Sequence, residues 1–283
     1  MIEKTEALGL LMPIYVFVFG AVVGSFLNVC ISRLPENLSL VRPGSRCPKC
    51  ESPVRWYDNL PIISFIILRA KCRSCGEPIS PQYPAVELLT AILFVLLLHR
   101  FNNPAVMVIY MVFTGALIVI TFIDLKHYII PNEISIPGII IGLLLSLLPA
   151  RVTGGEFVAS SFLDSAIGCL TGGGLLYLTA LFSLAVFKKE GMGGGDIKLM
   201  GMVGAFLGWK LALMTIVVGS VLGALVGLAL IIARLKKRGD YIPFGPYLAL
   251  GSLLSMLYGD LLLELYLAFG EGLGDILFFS QGA

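Results

Sequence analysis

The sequence predicts an all-α polytopic membrane protein, with about eight transmembrane helices and a small cytoplasmic zinc-ribbon-like loop. Three observations carry that expectation. Of 283 residues, 57% are hydrophobic and 13% charged, and the mean hydropathy is +0.93. A soluble protein would be left with too little polar surface to face water. Apolar runs of about 20 residues, enough to cross a hydrocarbon core, recur along the chain. Finally, four of the six cysteines fall in two C-x-x-C pairs inside the one sizeable polar segment.

The first span is expected at 11–32. The residues before it hold two acids and one lysine, and the apolar run is too long for a signal-peptide core, so it is expected to stay. Further spans are expected at 82–99, 104–124, 134–150, 161–187, 196–209, 211–233 and 243–268, with the sixth and seventh divided at "GWK", 208–210. The organisation that follows is a first transmembrane helix (1–32), a four-cysteine loop (33–81) and a transmembrane catalytic bundle (82–283). Sixteen of the 20 basic residues fall on one side of this map, leaving only Lys4, Arg100, Arg151 and Lys210 on the other. The positive-inside rule makes the first side cytoplasmic and puts both termini outside. Glycines four apart, Gly20 with Gly24 and Gly219 with Gly223 and Gly227, suit close helix packing in lipid.

The polar loop carries "CPKC" (Cys47, Cys50) and "CRSC" (Cys72, Cys75), with 21 residues between the pairs. Two turns that each present two thiolates close a tetrahedron around Zn²⁺, and a closed four-sulfur site is structural. The intervening gap is slightly longer than the usual zinc-ribbon range. Redox pairs are the rival reading. On the cytoplasmic side, however, thiols stay reduced and free to ligate. Cys30 and Cys169 lie within spans and suit small buried apolar positions. The stretch "PIISFIIL", 61–68, is too short to span, and either the membrane face or the helix bundle is open to it. Asp58 sits beside Trp56 and Tyr57 in a turn or amphipathic anchor.

The chemistry is expected at two aspartates. Asp124 closes the third span and Asp196 opens the sixth. Two complete spans lie between them, so both belong at one membrane face. Carboxylates near the lipid core are costly and mark chemistry or ion movement. If the two approach, they share one proton, which is the state an aspartic protease needs. The unpaired alternative leaves Asp196 as a helix-start acid. The run "GMGGGD" lacks the Gly-Lys-Ser/Thr ending of a phosphate loop and the last glycine of a dinucleotide fingerprint. Gly193, Gly194 and Gly195 instead suit a bare backbone that an extended substrate can approach and pair with. His127 and His99 are the only histidines and take no role. The rival functions are a proton- or ion-coupled transporter using Asp124 and Asp196, and a scaffold built on the metal loop. Transporter acids tend to lie at the midplane between repeated halves, a pattern absent here. Nothing points to nucleic acid.

These residues resemble a known family. "GSFLNVCISRLP" (24–35), the paired cysteine loop, "WYDNLPIISF" (56–65), "GGGDIKLMGMVGAFLGW" (193–209) and "IPFGPYLALG" (242–251) look like the bacterial type IV prepilin peptidases, which are GxGD membrane aspartyl proteases. The resemblance implies cleavage of short basic leaders from prepilins or pseudopilins at the cytoplasmic face of the inner membrane, for a type IV pilus or type II secretion system. It also implies catalytic roles at Asp124 and Asp196, and subsequent N-methylation from S-adenosylmethionine. One departure is Asn132, where the family often has an acid after its Ile-Pro pair. Glu51, Glu133 and Glu190 are candidate local attractors for a basic leader.

Overall fold

The computed structural model describes residues 2–188, 191–237 and 241–279. Lys189, Glu190 and Arg238, which entered the charge and leader arguments, lie outside the described residues. The described chain is helical: α1 (Ile2–Arg33), α2 (Ile63–Ile67), α3 (Gln82–Arg100), α4 (Pro104–His127), α5 (Asn132–Leu145), α6 (Ala150–Thr153), α7 (Phe162–Phe187), α8 (Gly194–Ile232) and α9 (Gly245–Phe279).

Among the described residues, six helices, against the eight expected, are long and apolar enough to cross a bilayer: those at Leu11–Glu36, Gln82–Arg100, Pro104–His127, Phe162–Phe187, Gly194–Ile232 and Gly245–Leu265. The two differences have separate causes. The run expected at 134–150 stops after 14 helical residues, at Leu145, or about 21 Å at 1.5 Å per residue, short of a roughly 30 Å core. The runs expected at 196–209 and 211–233 both fall within α8, but as two helical arms: Gly208 departs from helical geometry at φ 74°, ψ 175°, and a Cβ at Gly172 would meet both the Met200 carbonyl, at 2.4 Å, and Ala212 Cβ, at 3.6 Å, a proximity that about 18 Å of continuous helix over twelve residues does not allow. An L side chain avoids that region, so the break falls on a glycine. The division expected at 208–210 is therefore where the chain breaks and folds back between the two arms of α8.

The chain forms two compact units. The first comprises Met1–Ile134 and Pro149–Glu156. Its core is α1 against α3, with α4 packed on both. Gly20 and Gly24 make this possible, because a Cβ on either would meet the backbone of Ala91 or Glu87 at 2.7 or 2.6 Å. Asn103 starts α4 by accepting from the Ala105 and Val106 amides at 2.9 and 3.2 Å, and Pro104 fills the first helical position, where no donor is needed.

The second unit comprises Ser135–Leu148 and Phe157–Ala283. Its most extensive interface joins α7 and α8. A Cβ at Gly168 or Gly204 would fall on the other's backbone carbonyl, so the two helices touch main chain to main chain. Gly168 faces Gly204 while Gly173 faces Ile197, so these helices are antiparallel. Gly138 meets Met202 and Gly142 meets Ala205 and Phe206, so α5 runs parallel to the first arm of α8. The chain of this unit thus runs out along α5, back along α7 and out again along the first arm of α8. Asp164 near the start of α7 accepts from Ser160 N at 2.9 Å and from Trp209 N at 3.4 Å, which serves the amide freed by the break at Gly208. On the other arm, Gly219 lies against the Tyr247 carbonyl of α9.

Candidate functional site

Asp196 is the third residue of α8, which starts at Gly194 after an N-cap at Gly193 (φ −72°, ψ 139°). Only Gly193 of the three glycines is extended; Gly194 and Gly195 are taken into the first turn, and Gly193 keeps an ordinary negative φ. Its lack of a side chain has a local purpose. A Cβ at Gly193 would sit 3.1 Å from Asp196 Oδ2, whereas one at Gly194 meets nothing within 4 Å. The Asp196 amide donates to the Gly193 carbonyl at 3.1 Å. Asp196 is only 5% exposed, and the partial positive charge of a helix N-terminus favours an anion there.

Asp124 belongs to the first unit. It lies in the last turn of α4, 4% exposed. The helix ends because Tyr128 turns left-handed (φ 57°, ψ 34°) and donates its amide to the Asp124 carbonyl at 2.9 Å. The unpaired carbonyls of a helix C-terminus disfavour an anion. The two aspartates therefore lie at electrostatically opposite kinds of helix end. Glu51 and Glu133 are exposed.

The four-cysteine loop is built as an internal repeat. Residues 45–54 (SRCPKCESPV) and 70–79 (AKCRSCGEPI) match at a 25-residue offset, bond for bond. The Cys47 amide donates to the Ser52 carbonyl at 3.0 Å, and the Cys72 amide to the Glu77 carbonyl at 2.8 Å. The Glu51 and Gly76 amides each return to the first cysteine's carbonyl at 2.9 Å. Both of those residues are left-handed, with φ 55° and 75°. The pairs Arg46–Pro53 and Lys71–Pro78 form antiparallel bridges across the two turns. C-x-x-C followed by x-x-Pro is the sequence signal for this repeat, and pairing the cysteines alone passes over it.

The four Sγ atoms lie within 4.8 Å of one another, and Cys47 and Cys75 are 3.8 Å apart. A tetrahedron with 2.3 Å metal–sulfur bonds has edges of about 3.8 Å, so the arrangement fits a metal ion. The hydrogen bond from Ser52 lowers Cys50 to about 6. The Glu77 backbone lowers Cys75, but the neighbouring thiols, Cys50 first, outweigh it and push Cys75 up to about 12. Crowded thiols resist simultaneous ionisation, and a bound cation removes that conflict. Beside the knuckles, Arg73 clamps Asp58 with Nε and Nη2 at 2.6–3.1 Å, which holds the Asp58 carboxyl below its ordinary range. Cys30 is buried and Cys169 half-buried.

Two family models match the chain: the bacterial peptidase A24 N-terminal domain over residues 18–101, and the type IV leader peptidase family over residues 111–228. The prepilin leader peptidase/N-methyltransferase of Aeromonas hydrophila is 35% identical over 295 residues, covering 94% of this chain and 98% of that one. The protein of the same name from Bacillus subtilis is 37% identical, covering 90% and 98%. That of Myxococcus xanthus is 40% identical, covering 80% of this chain and 65% of the relative. No solved structure matches the chain.

Proposed function

The chain belongs to the type IV leader peptidase family, and from that premise we propose how its residues remove the leader of a prepilin and prepare the new N-terminus. It is a multi-pass membrane peptidase with N-methyltransferase activity; the transporter reading has no support. Asp196 and Asp124 are assigned the proteolytic step. The ends of their helices suggest the roles: Asp196, at a helix N-terminus, is the carboxylate that takes a proton from water, and Asp124, at a helix C-terminus, is the acid. The water oxygen attacks the scissile carbonyl carbon as Asp124 protonates the carbonyl oxygen. Breaking the carbon–nitrogen bond releases the amine, which takes its proton from Asp196. The gem-diol returns the other proton to Asp124 as the new carboxyl forms.

The observation that carries this reading is the burial of two carboxylates at the ends of apolar helices, 4% and 5% exposed. Few purposes besides chemistry justify that cost. Both aspartates are assigned to one membrane face. We place that face in the cytoplasm, both termini outside, in the bacterial inner membrane. A prepilin with an apolar helix and a basic leader has its scissile bond at that boundary. The extended backbone at Gly193 receives the substrate strand beside Asp196. Cys47, Cys50, Cys72 and Cys75 would hold a zinc ion that ties the loop's two turns together, and S-adenosylmethionine would supply the methyl group.

Cleavage of a model prepilin in detergent tests the assignment. Asp124→Asn and Asp196→Asn are each expected to lower the rate by about 10²–10⁴-fold, and the product mass reports the methyl group. Wild-type cleavage by either variant removes that residue from the pair.

A further inference from the structure

The segment between the two cysteine turns presents an apolar face that neither the loop nor the bundle covers. Trp56 is 80% exposed, Leu60 43%, Ile63 55%, and Ile66 and Ile67 68% each. Ile63, Ile66 and Ile67 are three and four apart on α2 and share one face. The opposite side is tied inward: Ser64 is buried and donates to the Tyr57 carbonyl at 3.0 Å. Exposed cations, Arg55, Arg69 and Lys71, flank the segment.

The depth of this face follows from one bond. The Ile62 amide donates to Glu87 Oε2 at 2.7 Å. Ile62 adopts φ 61°, a costly conformation for a β-branched residue that persists only where its surroundings enforce it. Glu87 is the sixth residue of α3, so the tether lies about 7 Å along the helix from its start. α3 has 19 residues, about 28 Å, which nearly equals the thickness of the hydrocarbon core. Ile62 and the apolar face beyond it are therefore held where headgroups meet acyl chains. Amphipathic segments lie in bilayers at that depth, about 5–10 Å into the boundary.

We infer that residues 56–67 form an interfacial wedge that inserts into the bilayer boundary and seats the four-cysteine loop on the membrane. Trp56 and the three isoleucines enter the acyl region, and the flanking cations reach headgroup phosphates. The reading depends on the membrane-crossing helices of the first unit and stands apart from the assignment of the catalytic aspartates.

Trp56 reports on its own position, because Trp209 is the only other tryptophan. The full chain carrying Trp209→Phe is reconstituted in vesicles whose lipids bear bromine at shallow acyl positions. Trp56 emission is expected to fall at least twofold against unbrominated lipid and to resist iodide. The difference between wild type and Trp56→Phe gives the same quantity without altering Trp209. Ile66→Asp with Ile67→Asp is expected to red-shift Trp56 and expose it to iodide while the protein stays in the vesicle. Full iodide quenching with no bromolipid effect overturns the wedge. So does bromolipid-independent burial of Trp56 that arises only on adding prepilin, which would make the face a substrate surface.

Discussion

At the scale of single residues, Gly193 is the most informative position after the aspartates. The absent side chain matters because of what stands beside it: Asp196 Oδ2 would be 3.1 Å from a Cβ. Gly193→Ala is therefore expected to slow prepilin cleavage about tenfold, since sub-ångström displacement of a reacting group is enough. Gly194→Ala, with open space around it, is expected to stay within about twofold. Equal effects from both substitutions would show that Gly193 matters only as a helix start. Glu156 gives a pH signature away from the site. The Asn103 amide at 2.8 Å, with help from Asn102, holds its carboxyl below the ordinary glutamate range. A depressed acid stabilises the fold above its unfolded value and loses that contribution as pH falls through the folded one. Thermal melts of Glu156→Gln should thus lie below wild type at neutral pH and converge with it in acid. A gap that persists at low pH would mean that the charge is not the cause.

At the scale of elements, glycine placement decides which helices can touch. Gly168 and Gly204 bring α7 and α8 into backbone contact, while Gly174, also on α7, meets nothing within 4 Å. Gly168→Ala is expected to cost about 1–3 kcal/mol or more by overpacking, and Gly174→Ala almost nothing. Detergent melting of the two variants side by side checks this, and equal stability would contradict the interface. The same elements show how far the sequence could be read. Apolar length placed α1, α3, α4, α7 and α9, because lipid imposes one dominant requirement on a spanning segment. It could not foresee that the run after Pro131 stops at Leu145, which depends on neighbours distant in sequence, whereas "GWK" did mark the break at Gly208. Spacing found the Gly20–Gly24 contact, yet it passed over Gly168 and Gly204, which lie on different helices and form no ladder between them. The four cysteines, whose sulfurs the structure brings within 4.8 Å of one another, were legible from residue type and spacing; the two aspartates, which it buries at helix ends, remain the assigned pair of the proposal. The uptake of Gly194 and Gly195 into α8 was not legible, since three glycines are equally compatible with a loop and with a first turn.

At the scale of the whole molecule, two features set where chemistry happens. Apolar helices fix the protein in the bilayer, and a repeated pair of cysteine turns builds a compact polar unit too small to have a core of its own. If zinc closes that unit, elemental analysis should find one ion per chain. Chelation should then open residues 45–79 to protease while the membrane helices stay intact. A metal-free loop of equal protease resistance would make the site dispensable.

In the proposed mechanism, the C-terminus of α4 and the N-terminus of α8 supply one acid and one base to a single water, although the two residues are 72 positions apart in the chain. The direct measurement is cross-linking in native membranes. Asp124→Cys and Asp196→Cys are combined in a chain carrying Cys30→Ala and Cys169→Ala, and treated with a short bis-methanethiosulfonate reagent. The 124–196 peptide pair is then sought by mass spectrometry. An efficient link between these two positions, blocked by bound prepilin, is expected. Complete labelling of both cysteines with no link between them would contradict that mechanism.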